Sequence, residues 1–492
     1  MKMKNRIKAL FCIALCAAMM MPAMVSCADR QEDDTKKPAV SGTNREDTPD
    51  TYDFPEEDFD EAEFKFLQYG SNAVDYTDEY IWSENFTGGA IGDAVIERNQ
   101  LVEDKYNVVV TAEECGGPIG EATKRMQAGQ CDFDVIYEWG IRTKNAALDS
   151  MLYDALDFTD VDMSRSYWVP SANESLTVGG HLFIFTNMVT MNSLSWADMV
   201  YFNKNLMDKL NFDYPYDHVD AGTWTYDLVI EMCTEAEEDV NGDGEMGVED
   251  QFGGFAGHGI LGALCSAPLT QDNGDGTYTV ITYTEGMVAA YNQYAKKLAS
   301  IEHLDYEDVW EAGVDISQFE SKHKGARFYL FGEDHQLFMG GSIDMSAEFT
   351  NMQSDYGVVP SPVNKAGDEY SCGVDANCPI FSMPVQLEDP EMAAIVFDYM
   401  AYESERLLLP AYFETTIKTK RMEDVRDYEM LDIVRSTVKY DWTGVYMWDS
   451  ELAGMRNAML TSGNFKSVAA RLGPKCQKEL DDIVAKLEEI IT

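Results

Sequence analysis

Glu63–Tyr69 reads EFKFLQY, Ala90–Tyr106 reads AIGDAVIERNQLVEDKY and Asn107–Thr111 reads NVVVT. The first has the length and composition of a strand. The second carries Ile91, Val95, Val102 and Tyr106 near a 3.6-residue period, the pattern of an amphipathic helix. The third is a short β-branched strand. Residues 119–128 predict another helix and Asp132–Tyr137 (DFDVIY) a buried strand. Strand, helix and strand at this cadence specify a parallel sheet in an α/β layer fold. In such sheets ligands sit beyond the carboxyl ends of the strands. That directs attention to Gln68–Asp75 and Glu138–Gly140.

Further along, Thr177–Phe185 (TVGGHLFIF) predicts a hairpin turning on Gly179-Gly180. Met199–Phe202 predicts a strand. A helix is expected after Gly222 through Leu228, Met232 and Ala236, another over Pro390–Tyr402, and a charged amphipathic one over Cys476–Ile491. No repeat of fixed period is visible.

The 492 residues leave room for two or three domains. An apolar content of 45% and aromatic content of 12% exclude a wholly disordered chain. Acidic side chains outnumber basic ones 87 to 37, for a net charge of −50. Nucleic acid is excluded as a partner, since phosphate binding needs basic patches. Adhesion to anionic lipid by surface charge is excluded likewise. A soluble, self-repelling, monomeric exported protein fits.

Lys2, Lys4, Arg6 and Lys8 precede an apolar run, Ala9–Met24, and then Val25-Ser26-Cys27. Basic, apolar and small, in that order, is an export signal over residues 1–26. Cys27 is the expected lipidation site, although Met24 stands where leucine is usual in a lipobox. Ordinary cleavage and secretion is the alternative. Loss of the signal takes the charge from −50 to −54. Two or three acyl chains would hold the protein to the outer face of the cell membrane, extracellular or periplasmic. Residues 27–61, acidic and punctuated by Pro38, Pro49 and Pro55, read as a disordered tether. Seven cysteines remain beyond Cys27, an odd number with no CxxC pair. Cys372 and Cys378 are close enough in sequence to close a short loop in an oxidising exterior. Buried small hydrophobes are the plainer reading of most of them.

Several segments carry a resemblance. They are Glu97-Arg98-Asn99, Lys105-Tyr106-Asn107, Leu152-Tyr153-Asp154-Ala155-Leu156, Tyr167-Trp168, Asn173-Glu174-Ser175-Leu176, Phe202-Asn203-Lys204, Thr223-Trp224-Thr225, Asp355–Pro360, Arg426-Asp427 and Glu429-Met430-Leu431. In this order they resemble the extracellular solute-binding proteins of ABC transporters, family 1. The resemblance implies a two-lobed α/β fold, like the type II periplasmic binding proteins, with the ligand in an interlobe cleft. It implies lobe 1 over 62–200 and 325–360, and lobe 2 over 201–324 and 361–492. It also implies a receptor that captures a solute, a sugar or oligosaccharide first among them, and delivers it to the permease subunits of an importer.

A sugar site needs flat aromatic faces for pyranose C–H groups and buried polar groups for hydroxyls. Tyr69 and Asp75 follow the first strand. Glu138 and Trp139 follow the strand at 132–137. Trp196 and Asp198 precede the strand that crosses between lobes. Trp442 and Tyr446 lie in a late loop. Gly257-His258-Gly259-Ile260-Leu261-Gly262 is a formal GxGxxG, out of place for a dinucleotide fold. Its glycine-rich turn instead offers backbone N–H groups, with Phe255 and His258 as ligand contacts. Residues 239–250 place Asp239, Asn241, Asp243, Glu245 and Asp250 at positions 1, 3, 5, 7 and 12 of an EF-hand-type loop. Structural calcium is expected there, with a solvated acidic turn as the alternative. No cofactor is required. HExxH, GxSxG and GxxxxGK[ST] are absent from the sequence, so a binding protein is expected rather than an enzyme. The alternative is a surface-tethered glycan-processing enzyme using a carboxylate pair.

Overall fold

The computed structural model describes residues 53–69, 81, 89–254, 269–298, 301, 304, 306–315, 328–349, 352–416, 424–447 and 449–489. The expected signal peptide, Cys27 and the tether up to residue 52 lie outside the described residues.

The chain opens with β1 (Ala62–Tyr69), α1 (Ala90–Tyr106), β2 (Val108–Cys115), α2 (Pro118–Gln127), β3 (Val135–Trp139) and α3 (Gly140–Leu148). There follow β4 (Met199–Asn203), α4 (Tyr226–Ala236), β5 (Phe252–Gly254), β6 (Thr270–Asp272) and β7 (Tyr278–Val280). Then come β8 (Gln336–Gly341), β9 (Tyr356–Pro360), β10 (Pro379–Ser382), α5 (Pro390–Thr416), α6 (Val425–Ser436), α7 (Trp442–Tyr446) and α8 (Phe465–Glu489).

Two four-stranded sheets organise these elements. The first has the order β10-β3-β1-β2. β1 runs parallel to β2 from Ala62↔Val108 to Tyr69↔Cys115, and parallel to β3 at Phe66↔Val135. β10 closes the edge antiparallel, Pro379 opposite Trp139. The expected β–α–β–α–β cadence is therefore the framework of this sheet. α1 and α5 pack together on it, and Phe64, Phe66, Trp168, Phe185, Phe381 and Phe397 form its aromatic core. Asp398 accepts from the Trp168 indole N–H at 2.6 Å, so a buried ring keeps its donor satisfied.

The second sheet has the order β5-β8-β4-β9. β4 is antiparallel to both neighbours, and β5 is parallel to β8. Strand alternation divides β4 between two cores. Met199 and Tyr201 face the larger core, whereas Val200 and Phe202 face a second one with Trp224, Val229, Phe338 and Val359.

This pairing corrects the lobe boundaries drawn from the resemblance. Segment 325–360 was expected in lobe 1, yet both its strands, β8 and β9, pair with β4 in the second sheet. Segment 361–492 was expected in lobe 2, yet β10 pairs with β3 and α5 packs on α1. The return to the first sheet comes after β9, where β10 meets the free edge of β3. The tether boundary also moves. Residues 53–61 are ordered: Phe54 packs on Tyr399 and Tyr402, ring centroids 4.9 Å from each, and Phe59 packs on Tyr106. Two aromatics outweigh the acidic composition there. The hairpin at 177–185 reduces to one bridge, Val178↔His181, with Gly179 and Gly180 both at positive φ; Phe185 bridges Phe381 instead. The helices read as ending or starting near Tyr402 and Cys476 run through Pro410 and Pro474, to Thr416 and from Phe465. Buried residues beyond each proline, Tyr412 and Cys476 among them, offset the roughly 3 kcal/mol that an interior proline costs. No described helix is long and apolar enough to cross a membrane.

Candidate functional site

The carboxyl ends of β1 and β3 bring Tyr69 and Trp139 together. Their rings meet edge to face at 6.4 Å, and Trp139 meets Trp196 edge to face at 6.3 Å. Trp196 sits three residues before β4, so the aromatic group adjoins the segment that leads from the first sheet to the second. Glu138 alternates inward on β3 and is fully buried. Its Oε1 accepts from the Tyr69 hydroxyl at 2.5 Å and from the Trp139 amide at 2.8 Å, and its Oε2 accepts from the Ile119 amide at 3.1 Å. A buried carboxylate held by three donors is a fixed post. Burial, and then the Glu138 bond, push the Tyr69 hydroxyl well up, so it stays protonated and donates.

Arg142, in the first turn of α3, completes the group. Its Nη1 donates to the Tyr69 hydroxyl, and its guanidinium lies 5.8 Å from the Tyr69 ring centre and 5.7 Å from that of Trp139. Its side chain is 53% exposed, while the Glu138 carboxylate lies 4.0 Å away with no exposure. Cation–π contact with both rings holds it in place. The Trp139 indole N–H is buried without an acceptor, a cost of about 1–3 kcal/mol unless a ligand supplies one.

The β3–α3 junction is rigid. The Gly140 amide donates to Cys378 O at 3.2 Å and the Ile141 amide to Ala376 O at 3.1 Å. A Cβ at Gly140 would lie 2.6 Å from Ala376 O, which explains glycine at this close approach.

Of the residues predicted from sequence, Tyr69, Glu138, Trp139 and Trp196 come together. Asp198 is exposed at the crossing, its amide donating to Gly373 O at 2.8 Å. Trp442 and Tyr446 are buried in the larger core, 8% and 1% exposed, and so serve packing rather than presenting a face. Asp75, Phe255 and His258 lie outside the described residues. Arg142 was missed. The available signal was its place four residues after Glu138, where a helix starts at the carboxyl end of a strand.

In the 239–250 loop the acidic oxygens cap the loop's own amides. Asp239 accepts from Gly242 and Gly244, Asn241 from Asp243, Asp243 from Glu245, and Asp250 from Val240 and Gly247. Among the described residues no three His, Cys, Asp or Glu side chains gather as a metal site. Cys372 and Cys378 are free and buried, so no bridge closes that loop in this structure. Their sulfurs instead accept from Thr437 and Tyr440.

Two carboxyls are pushed up to about 6 by burial, Asp134 and Asp427. Asp134 precedes β3, at the end opposite Trp139, and Asp427 lies on α6 against the second sheet. They do not form a pair at the aromatic group.

No family model matches the sequence, and no curated protein matches it. Solved structures do match over most of its length. A de novo designed cysteine esterase aligns at 13% identity over 86% of this chain and 99% of its own, with a TM-score of 0.54. A periplasmic oligogalacturonide-binding protein from Yersinia enterocolitica aligns at 12% identity over 86% of this chain and 100% of its own, with a TM-score of 0.55. A sugar transporter from Rhizobium etli, in an open conformation, aligns at 14% identity over 86% and 99%, with a TM-score of 0.52. Among the described residues, burial raises the thiols of Cys115, Cys131, Cys233, Cys372, Cys378 and Cys476 above the ordinary thiol value. At these identities what is shared is architecture, and the chain has the two-lobed α/β fold of the periplasmic binding proteins.

Proposed function

We propose that this chain is a family 1 solute-binding receptor that captures a sugar or oligosaccharide and hands it to an ABC importer. The observation that carries the reading is the Trp139–Trp196 pair beside Tyr69, Glu138 and Arg142. Aromatic faces and fixed polar groups stand together at the carboxyl edge of a parallel sheet, next to the crossing between sheets. Two of the aligned structures are a named oligogalacturonide binder and a named sugar transporter, which supports carbohydrate as the cargo class. In this reading the lipid on Cys27 anchors the receptor to the outer face of the cell membrane, and permease subunits are its partners. Calcium in the 239–250 loop is a structural ion in the same reading.

The test is a thermal-shift screen against mono- and oligosaccharides, with product analysis of each. A ligand that binds only the folded state raises the midpoint by mass action. The expected result is a shift with one sugar class and the sugar recovered intact. Cleaved sugar would establish the glycan-processing enzyme instead. Shifts with peptides alone would keep a receptor and remove carbohydrate.

A further inference from the structure

Arg142 lies against the aromatic group without a close carboxylate. In the ion pairs among the described residues, every other lysine and arginine has a carboxylate oxygen within 3.4 Å. The nearest to Arg142 is at 4.0 Å, and it belongs to Glu138, whose two oxygens already accept from Tyr69, Trp139 and Ile119. Arg142 donates through Nη1 to a phenol, and its Nε and Nη2 have no hydrogen-bond partner among the described residues. The guanidinium is half exposed and lies over the buried Tyr69 ring and the half-buried Trp139 ring.

A guanidinium presents a planar fork of N–H donors that matches a carboxylate with two parallel bonds. A neutral hydroxyl uses one such donor at a time and gains little from the charge. The protein as a whole repels anions, at −50, but salt screens that field within about 8 Å under physiological conditions. A single fixed cation beside the aromatic faces then decides the local preference. The ring faces contact the sugar's C–H surface while a carboxylate on the same ring reaches the fork at its edge. The buried Trp139 N–H beside it is a second donor without an acceptor.

We propose that Arg142 selects acidic sugars, and that the cargo is a uronic-acid-containing oligosaccharide bound through its carboxylate. The inference rests on the carbohydrate reading above. The competing role for Arg142 is counter-charge to buried Glu138, which would affect stability but not ligand preference.

The test is calorimetric titration of the full chain with uronic-acid oligosaccharides, each beside its carboxyl-reduced neutral counterpart, at low and high salt. The acidic form is expected to bind at least about tenfold tighter, with the preference shrinking as salt rises. Arg142→Gln is expected to abolish that preference, read as the ratio of the two affinities in the same variant. Arg142→Lys keeps a positive charge beside Glu138 but removes the fork, and is expected to lose most of the preference while remaining folded. Equal or tighter binding of the neutral form to the unaltered protein would overturn the acidic class and leave the sugar reading standing. A preference unchanged in both variants would overturn the role of Arg142. Binding of neither form, with no other sugar bound, would overturn the sugar reading and this inference with it.

Discussion

Two aromatic groups in this molecule have nearly the same composition and opposite uses. Tyr69, Trp139 and Trp196 stand at the carboxyl edge of the first sheet, and Tyr278, Trp442 and Tyr446 stand under the C-terminal helices. Both meet edge to face at ordinary spacings, 6.3–6.4 Å in the first and 5.4–6.1 Å in the second. They differ in exposure and polar company. In the first group Tyr69 is buried, but Trp139 and Trp196 are half-buried, with a fixed carboxylate and a half-exposed guanidinium beside them. Trp442 and Tyr446 are buried, and Tyr278 is tied in by the Gly179 amide on its hydroxyl and by Gln477 of α8 on its carbonyl. An aromatic residue is a candidate platform only when charge and partial exposure accompany it.

The sharpest way to break this comparison is to truncate one ring in each group. Trp442→Ala empties a packed site and is expected to cost about 3–5 kcal/mol of stability. Chemical denaturation measures it, and any sugar affinity of the folded fraction should be unchanged. Trp139→Ala is expected to reverse the pattern. It should cost about 2 kcal/mol of sugar binding, roughly 30-fold in Kd, with a smaller loss of stability. If Trp442→Ala abolished binding in a protein that is still folded, the division between the two groups would be wrong.

The fold was legible in the sequence where local periodicity and tertiary role agree. β1, α1, β2, α2 and β3 were read from their patterns, and β1 pairs parallel with both β2 and β3. The segments that carried the family resemblance prove to be polar staples of the scaffold. Arg98, fully buried on α1, donates to Ile81 O, Val189 O and Ser404 Oγ. Asn173 ties Trp168 to Thr186, and Asn203 caps the turn after β4 while reaching Asp334. The Trp224 indole donates to Pro360 O, and Asp427 accepts from Tyr216 and Val358. Such residues specify where chain segments meet, so they identify the architecture and say little about the ligand. Lobe boundaries were misjudged because the pairing of β8 and β9 with β4 is long-range and leaves no local pattern. Arg142 was overlooked because one arginine in a helix's first turn carries no sequence signal until Tyr69, 73 residues away in sequence, is placed beside it.

Each sheet has one buried acid raised by its burial, and pH tests both. Burial pushes Asp427 up to about 6 against the lowering pull of Lys204, Tyr216 and the Val358 amide. Its carboxyl is ordinary, near 3.8, in the unfolded chain. The folded state therefore binds the proton more tightly between these values. Stability from this group is fully present below about 4 and is lost as pH rises through about 6, an effect of up to about 2–3 kcal/mol. Asp427→Asn keeps an oxygen acceptor for Tyr216 and Val358. It is expected to be steadier than the parent across pH 4–6, measured as the change in thermal midpoint between those pH values. Asp134, pushed up to about 6 beside the first sheet, should account for a similar drift of its own, removed by Asp134→Asn. A parent protein whose midpoint falls steadily from pH 6 to pH 4, in parallel with both variants, would show that neither acid is neutralised by its burial.

The smallest expected effect concerns the 239–250 loop. Its carboxylates already satisfy the loop's amides, so the turn needs no ion to keep its shape. A calcium ion would add ligation on top of that frame, through oxygens left with spare lone pairs on Asp239, Asn241 and Asp243. With extracellular-type affinity, between about 0.1 and 1 mM, 1 mM calcium would add only about 0.4–1.4 kcal/mol. A rise in midpoint of a degree or two with calcium, reversed by EDTA and absent in Asp243→Ala, is the expected outcome. An identical midpoint in calcium and EDTA would mean that the turn is closed by its own amides alone, as the capping pattern already permits.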